Sequence, residues 1–360
     1  MKKKCTLALL LQFLFALMVC TNVYAGKIKV PNPGNNNDIQ PAIQAAVDGA
    51  VDGDEIILPA GSFVLNKSVV VRKFISIKGK GSTKTILYRA ESVPDNTLSY
   101  DAEWEAMFRY EINDSIRSSN IIIKGIYFKS KEPSVYEGDG KSKASDMGIE
   151  MIRSLDFVIT GCKFQYFGNG GVTVIHHDTK AGGLIFKNEF IHNVKGVTAL
   201  GLGYGVVIYG GDHQWVTDPK FGTSNFIFIE DNLFDYHRHS IAAGGGALYV
   251  FRHNTILNNV AAFASAIDMH EARGDMLGSG NYFSSRATEV YRNNITNTTF
   301  RSDLTGIPDG TPITPGHDIS WLAETAIMPQ GGEMLIHHNK IKGYRFGVGL
   351  ITRQYDLNPP

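Results

Sequence analysis

The sequence is short of cysteine, and two of its three cysteines, Cys5 and Cys20, fall within the first 25 residues. Those 25 residues have the form of an export leader. Lys2, Lys3 and Lys4 precede an apolar run from Leu7 to Val19, and Val23-Tyr24-Ala25 offers small residues before a cut. Removal after Ala25 leaves Cys162 alone, so no internal disulfide is expected and the core must supply the stability. Lipidation at Cys20 is the weaker reading, because Val19 is a poor neighbour for that modification. The predicted location is therefore secreted or periplasmic. No later apolar run approaches the ~20 residues that cross a bilayer. An excess of positive charge is also lacking. The whole chain carries 35 basic and 35 acidic residues, and loss of the three leader lysines leaves it mildly acidic. That balance gives no general attraction to nucleic acid.

Glycine is abundant, at 38 residues, and it is spread along the chain. Between the glycines runs an internal repeat, the strongest signal present. Seven segments share an apolar strand, a short polar step, an Asn-like residue, any residue, then Phe or Ile. The first column is Ile126, Cys162, Asn188, Asn232, Asn254, Asn293 and Asn339. The second is Phe128, Phe164, Phe190, Phe234, Ile256, Ile295 and Ile341. Strands stacked about 4.8 Å apart let identical amides bond into a ladder and let rings stack. The pattern predicts one domain over residues 26–360, an all-β, single-stranded right-handed parallel β-helix. An amphipathic helix at about 38–50 is expected to cap its N-terminal end, with Asp38 as N-cap and Pro41 in the first turn.

The run from this helix through DEIILPAGSFVL to ISIKGKG resembles the start of the pectin-lyase-like superfamily. The resemblance covers nearly the whole chain after the leader and implies the same fold. It does not extend to the better-known enzymes. The paired aspartates with Gly-His-Gly and Arg-x-Lys of polygalacturonases are not found together, and the calcium-ligand context of pectate lyases is missing. The Lys/Arg pair of chondroitinase B and similar alginate lyases has no clear counterpart.

A second series of strands precedes the Asn segments, at 171, 205, 240, 265 and 346. Aligned from those starts, His176, Gly210, Gly245 and His270 form one column, and His177, Gly211, Gly246 and Glu271 the next. His176 and His270 are then expected roughly 14 Å apart across a glycine floor, a length of a few sugar units. Polar residues thicken around these coils: His237, Arg238, His239, Tyr249, Arg252, His253, Asp268, His270, Glu271 and Arg273. A carboxylate beside an imidazole suits a general base, and arginine suits a substrate carboxylate.

FDYHRHSIAAGGG, YVFRHN and IDMHE also resemble an Arg-His, Tyr-x-x-Arg-x-Asn and Asp-x-His series in uncharacterised extracellular β-helix proteins. IDMHE is similar to the Asp-Pro-His-Asp of mannuronan epimerases, with Met269 and Glu271 as departures. The expected catalytic set is Arg238, His239, Arg252, Asp268 and His270. The expected substrate-binding set is His176, His177, His237, Tyr249, His253, Glu271 and Arg273. The bland alternative for Arg252 is an ion pair with Glu230 one coil earlier, and for His253 a solvent-facing neighbour of the ladder.

The first function expected is a lyase acting on an acidic polysaccharide by β-elimination. An Arg would acidify the proton alpha to the uronate carboxylate, and His270 or His239 would remove it. Uronate epimerisation shares that first step. Hydrolysis with Asp268 and Glu271 as a carboxyl pair and glycan binding without catalysis are the rivals. No cofactor is required by this reading, with Ca²⁺ the one ion left open. Oligomeric state is not specified.

Overall fold

A computed structural model describes residues 25–90, 106–112, 120–131, 146–154, 156–175, 182–193, 203–210, 220–259, 265–269, 285–298, 325–330 and 332–350. Within them the chain winds through three parallel sheets of ten, nine and nine strands. Each full coil places one strand in the first sheet, one in the second and one in the third, before returning to the first. This is the expected parallel β-helix.

The turn from the first sheet to the second carries the asparagine ladder. Asn232 donates through Nδ2 to the Ile185 carbonyl at 2.9 Å and to Asn254 Oδ1 at 3.0 Å, while its backbone N–H reaches the same Oδ1 at 3.0 Å. Asn188, Asn254 and Asn293 repeat the scheme. The residue before each Asn turns the corner in the left-handed region, as Asp231 and His253 do at φ 55° and 57°. Buried amides satisfied on both sides hold each coil to the next.

In the second sheet Phe128, Phe164, Phe190 and Phe234 stack face to face, with centroids 4.8–5.2 Å apart. Ile256, Ile295 and Ile341 continue that column in register. Gly171 and Gly205 lie against these rings. An added Cβ would stand 2.7 Å from Phe190 and 2.6 Å from Phe234, which explains glycine there.

The N-terminal helix spans Gln40–Gly49, one residue later than expected, with Ile39 in the capping position. Asp38 still contributes, accepting the Gln40 N–H at 3.0 Å. Ile39, Ile43 and Val47 join the core. The other end is uncapped within the described residues, and Leu335, Phe346, Val348 and Leu350 are exposed. No described helix is long and apolar enough to cross a membrane.

Candidate functional site

In the third sheet, residues pointing away from the core form rows along the helix axis. One row runs Gly170, Tyr204, His239, and a second runs Thr173, Val207, Ala242, Asp268, Met328. The apolar alternation decides this placement. Ile241 and Ile267 stack inward, so Ala242 and Asp268 face out. This corrects the expected alignment by one residue. Matching Ser240 to Ser265 would set Asp268 opposite Ala243, a core residue. The expected series also skipped a coil, because Thr325–Pro329 lies between Ile267–Met269 and Phe346–Val348 in this sheet.

The outward rows bring Tyr204, Arg238, His239, Asp268 and Gln330 together. His239 Nδ1 lies 2.5 Å from the Ser265 carbonyl oxygen, and its Nε2 lies 3.3 Å from Asp268 Oδ2. Gln330 Nε2 donates to the other Asp268 oxygen at 2.8 Å. The Tyr204 ring stacks on the imidazole, 5.7 Å between centroids and 16° from parallel. Arg238 NH1 donates to the Tyr204 hydroxyl at 3.1 Å, and its guanidinium lies 5.9 Å from the Tyr204 ring centroid. Asn259 holds the Arg238 backbone carbonyl at 2.9 Å.

The cluster has an inside and an outside. His239 and Asp268 are 1% exposed, Tyr204 is 6% exposed, and Arg238 is half-buried. Val207 and Ala242 floor it with Tyr204, and Tyr209 packs beside them. Burial pushes the Tyr204 phenol up from its ordinary value, with Asp268 adding to the effect and Arg238 opposing it. The hydroxyl therefore keeps its proton near neutral pH. With Arg238 occupying one lone pair, it is set up to donate that proton.

Other expected members fall elsewhere. Tyr249 points into the core with no exposure, and burial raises its phenol. It therefore offers no surface for substrate, which corrects that expectation. His237 is likewise enclosed at 1% exposure, edge-on to Phe234 at 5.9 Å, in the place that Asn193 and Asn259 hold in their coils. Burial lowers its imidazole to about 3, so it is a neutral core residue. Arg252 stands on the outer face of the first sheet, opposite Glu230 in register. It donates to Glu230 at 2.5 Å and to the Tyr291 hydroxyl at 2.8 Å, the ion pair that was its bland alternative. His253 is exposed beside the ladder, edge-on to Tyr291 at 6.0 Å. His176, His177, His270, Glu271 and Arg273 lie outside the described residues.

Tyr204 and Gln330 were not anticipated. Tyr204 shares a row with His239 and was readable from the register, whereas Gln330 sits in the skipped coil. Among the described residues no group of three or more His, Cys, Asp or Glu is placed to hold a metal ion.

No protein-family model and no curated protein sequence matches the chain. Solved structures do. DFA-IIIase from Arthrobacter chlorophenolicus A6 in complex with DFA-III superposes with a TM-score of 0.55 at 13% identity, over 90% of this chain and 77% of that one. The same enzyme without its lid gives 0.51 at 12% identity, over 91% and 90%. The catalytic unit of a thermostable GH87 α-1,3-glucanase from Streptomyces thermodiastaticus strain HF3-3 gives 0.51 at 12% identity, over 91% of this chain and 56% of that one. The chain shares their fold. At these identities the likeness says nothing of shared residues, and the chemistry has to come from the site itself.

Proposed function

We propose that this chain is an exported polysaccharide-processing enzyme whose reactive site is the outer face of the third sheet, and that it cleaves an acidic glycan by β-elimination. The leader-like first 25 residues support export, and the fold is one on which the DFA-IIIase and the α-1,3-glucanase are built. The observation that carries the reading is the grouping of Tyr204, Arg238, His239 and Asp268 on one outward face, with Arg238 the most exposed of the four.

In this reaction the bond between hydrogen and the carbon alpha to the carboxylate breaks, the β oxygen departs, and a carbon–carbon double bond forms between them. Arg238 pairs with the uronate carboxylate and stabilises the negative charge that grows on it. Tyr204 delivers its proton to the departing oxygen. For the base, the sequence supplies His270, one residue past Met269 and outside the described residues.

A hydrolase needs two carboxyl groups roughly 5–9.5 Å apart. Asp268 is flanked in its row by Ala242 and Met328, and its two oxygens face His239 and Gln330. The hydrolytic alternative would pair Asp268 with Glu271, which lies outside the described residues. The test is a panel of uronate-containing polysaccharides, followed for ultraviolet absorbance of an unsaturated uronate and for reducing ends. Both signals rising together support the proposal, and reducing ends without absorbance refute elimination.

A further inference from the structure

We infer that His239 acts as a fixed cation behind the Tyr204 ring rather than as the base, and that Gln330 is the positioning residue that holds it in that state. The inference rests on the third-sheet face being the reactive one. The Ser265 carbonyl can only accept, so the Nδ1 that meets it at 2.5 Å carries hydrogen. A bare Nε2 would direct a lone pair at the Asp268 carboxylate, 3.3 Å away and as deeply buried. A proton on Nε2 turns that repulsion into an ion pair, one that water does little to screen at 1% exposure. The contact is long, and it is an attraction of charges more than an aligned hydrogen bond.

Gln330 decides which form wins. Its amide donates to Asp268 Oδ1 at 2.8 Å, which favours the ionised carboxylate and turns Oδ2 toward the imidazole. Among the described residues, the charged or titratable groups that act on this pair include Arg238, Tyr204 and, through Asp268, the buried Tyr249. Arg238 meets the Tyr204 hydroxyl, and Tyr204 lies nearly parallel to the imidazole, its electron-rich face toward a cation. The phenol is thus flanked by two cations. When it gives up its proton, the phenolate forms where positive charge already waits. A histidine with both nitrogens committed cannot also abstract a proton, so a different group must serve as base.

The test is made on the full chain with ¹⁵N-labelled histidine, using His239→Gln to assign the signals. His239 should show two protonated ring nitrogens from about pH 6 to about pH 8. Gln330→Met keeps the shape and removes the donor. In that variant His239 should lose a proton within the same range. Its kcat should fall about tenfold with KM unchanged, as expected for a group acting only in the transition state. A bare ring nitrogen in the unaltered protein at neutral pH, or an unchanged titration in Gln330→Met, overturns the inference. The ring signals decide it even if no polysaccharide is cleaved, which separates its failure from that of the proposed reaction.

Discussion

The outer faces of the first and third sheets both carry arginine, tyrosine, histidine and a carboxylate, arranged to different ends. On the first sheet, Glu230, Arg252, Tyr291 and His337 follow one another along a single row. Arg252 bonds to the residues before and after it, and the Tyr291 ring stacks on His337 at 4.8 Å. Each group there satisfies its neighbour in the stack. On the third sheet, Asp268 and Gln330 come from later coils to meet His239, and Arg238 reaches back to Tyr204. Convergence across rows leaves Arg238 half-buried over the enclosed Tyr204, His239 and Asp268. The composition of a patch therefore says less than whether its members pair along a row or gather across rows.

The comparison can be broken most directly with the two arginines. Arg238→Ala should lower turnover about 10²–10³-fold, the usual cost of removing one charge-stabilising group. Arg252→Ala should leave turnover within about tenfold and cost less than about 1 kcal/mol of stability, as for a partly exposed ion pair. Comparable losses of turnover in the two variants would erase the distinction between the faces.

The interior should respond in stability and not in chemistry. Asn254→Ala strands the Asn232 backbone N–H and the Ile229 carbonyl inside the stack. Denaturant titration should show a loss of about 2–6 kcal/mol, on the order of 1–3 kcal/mol for each of the two orphaned groups. His237 links the interior to pH. Its folded value, about 3, lies below the unfolded one. The unfolded chain therefore takes up the proton first, and stability is lost as pH falls from about 6.5 toward 3. His237→Asn, matching Asn193 and Asn259, should flatten the urea midpoint over that window. An unchanged slope would show that His237 is not buried as described. The smallest effect belongs to Cys162, whose thiol burial pushes up to about 12. The Asn188 Oδ1 already accepts its backbone N–H at 2.9 Å, and the Ile123 carbonyl lies 3.9 Å from its Sγ. Cys162→Asn should extend the ladder and gain about 1 kcal/mol, read from the same titration.

Most of the interior was legible in the sequence and only part of the site was. Asn232, Asn254 and Phe234 repeat because every coil must present the same group to the same neighbour, so translation along the helix axis prints itself as a period. The outward residues obey no such rule. Asp268 was recognisable beside its imidazoles, but its partner among the described residues proved to be His239, because Ile241 must stack on Ile267. Tyr249 and His237 looked like members of a polar cluster until strand alternation and the second turn directed both inward. Gln330 stayed hidden just after Thr325–Pro329, in the coil that the expected strand series passed over.

The most direct measurement is the initial rate of unsaturated-uronate formation by the unaltered chain and by Tyr204→Phe on one polyuronate, alongside their thermal midpoints. The account predicts absorbance from the first protein, a rate about 10²–10⁴-fold lower in the second, and matching midpoints. Equal rates at equal midpoints would contradict it, because the hydroxyl that Arg238 holds would then have no part in the reaction.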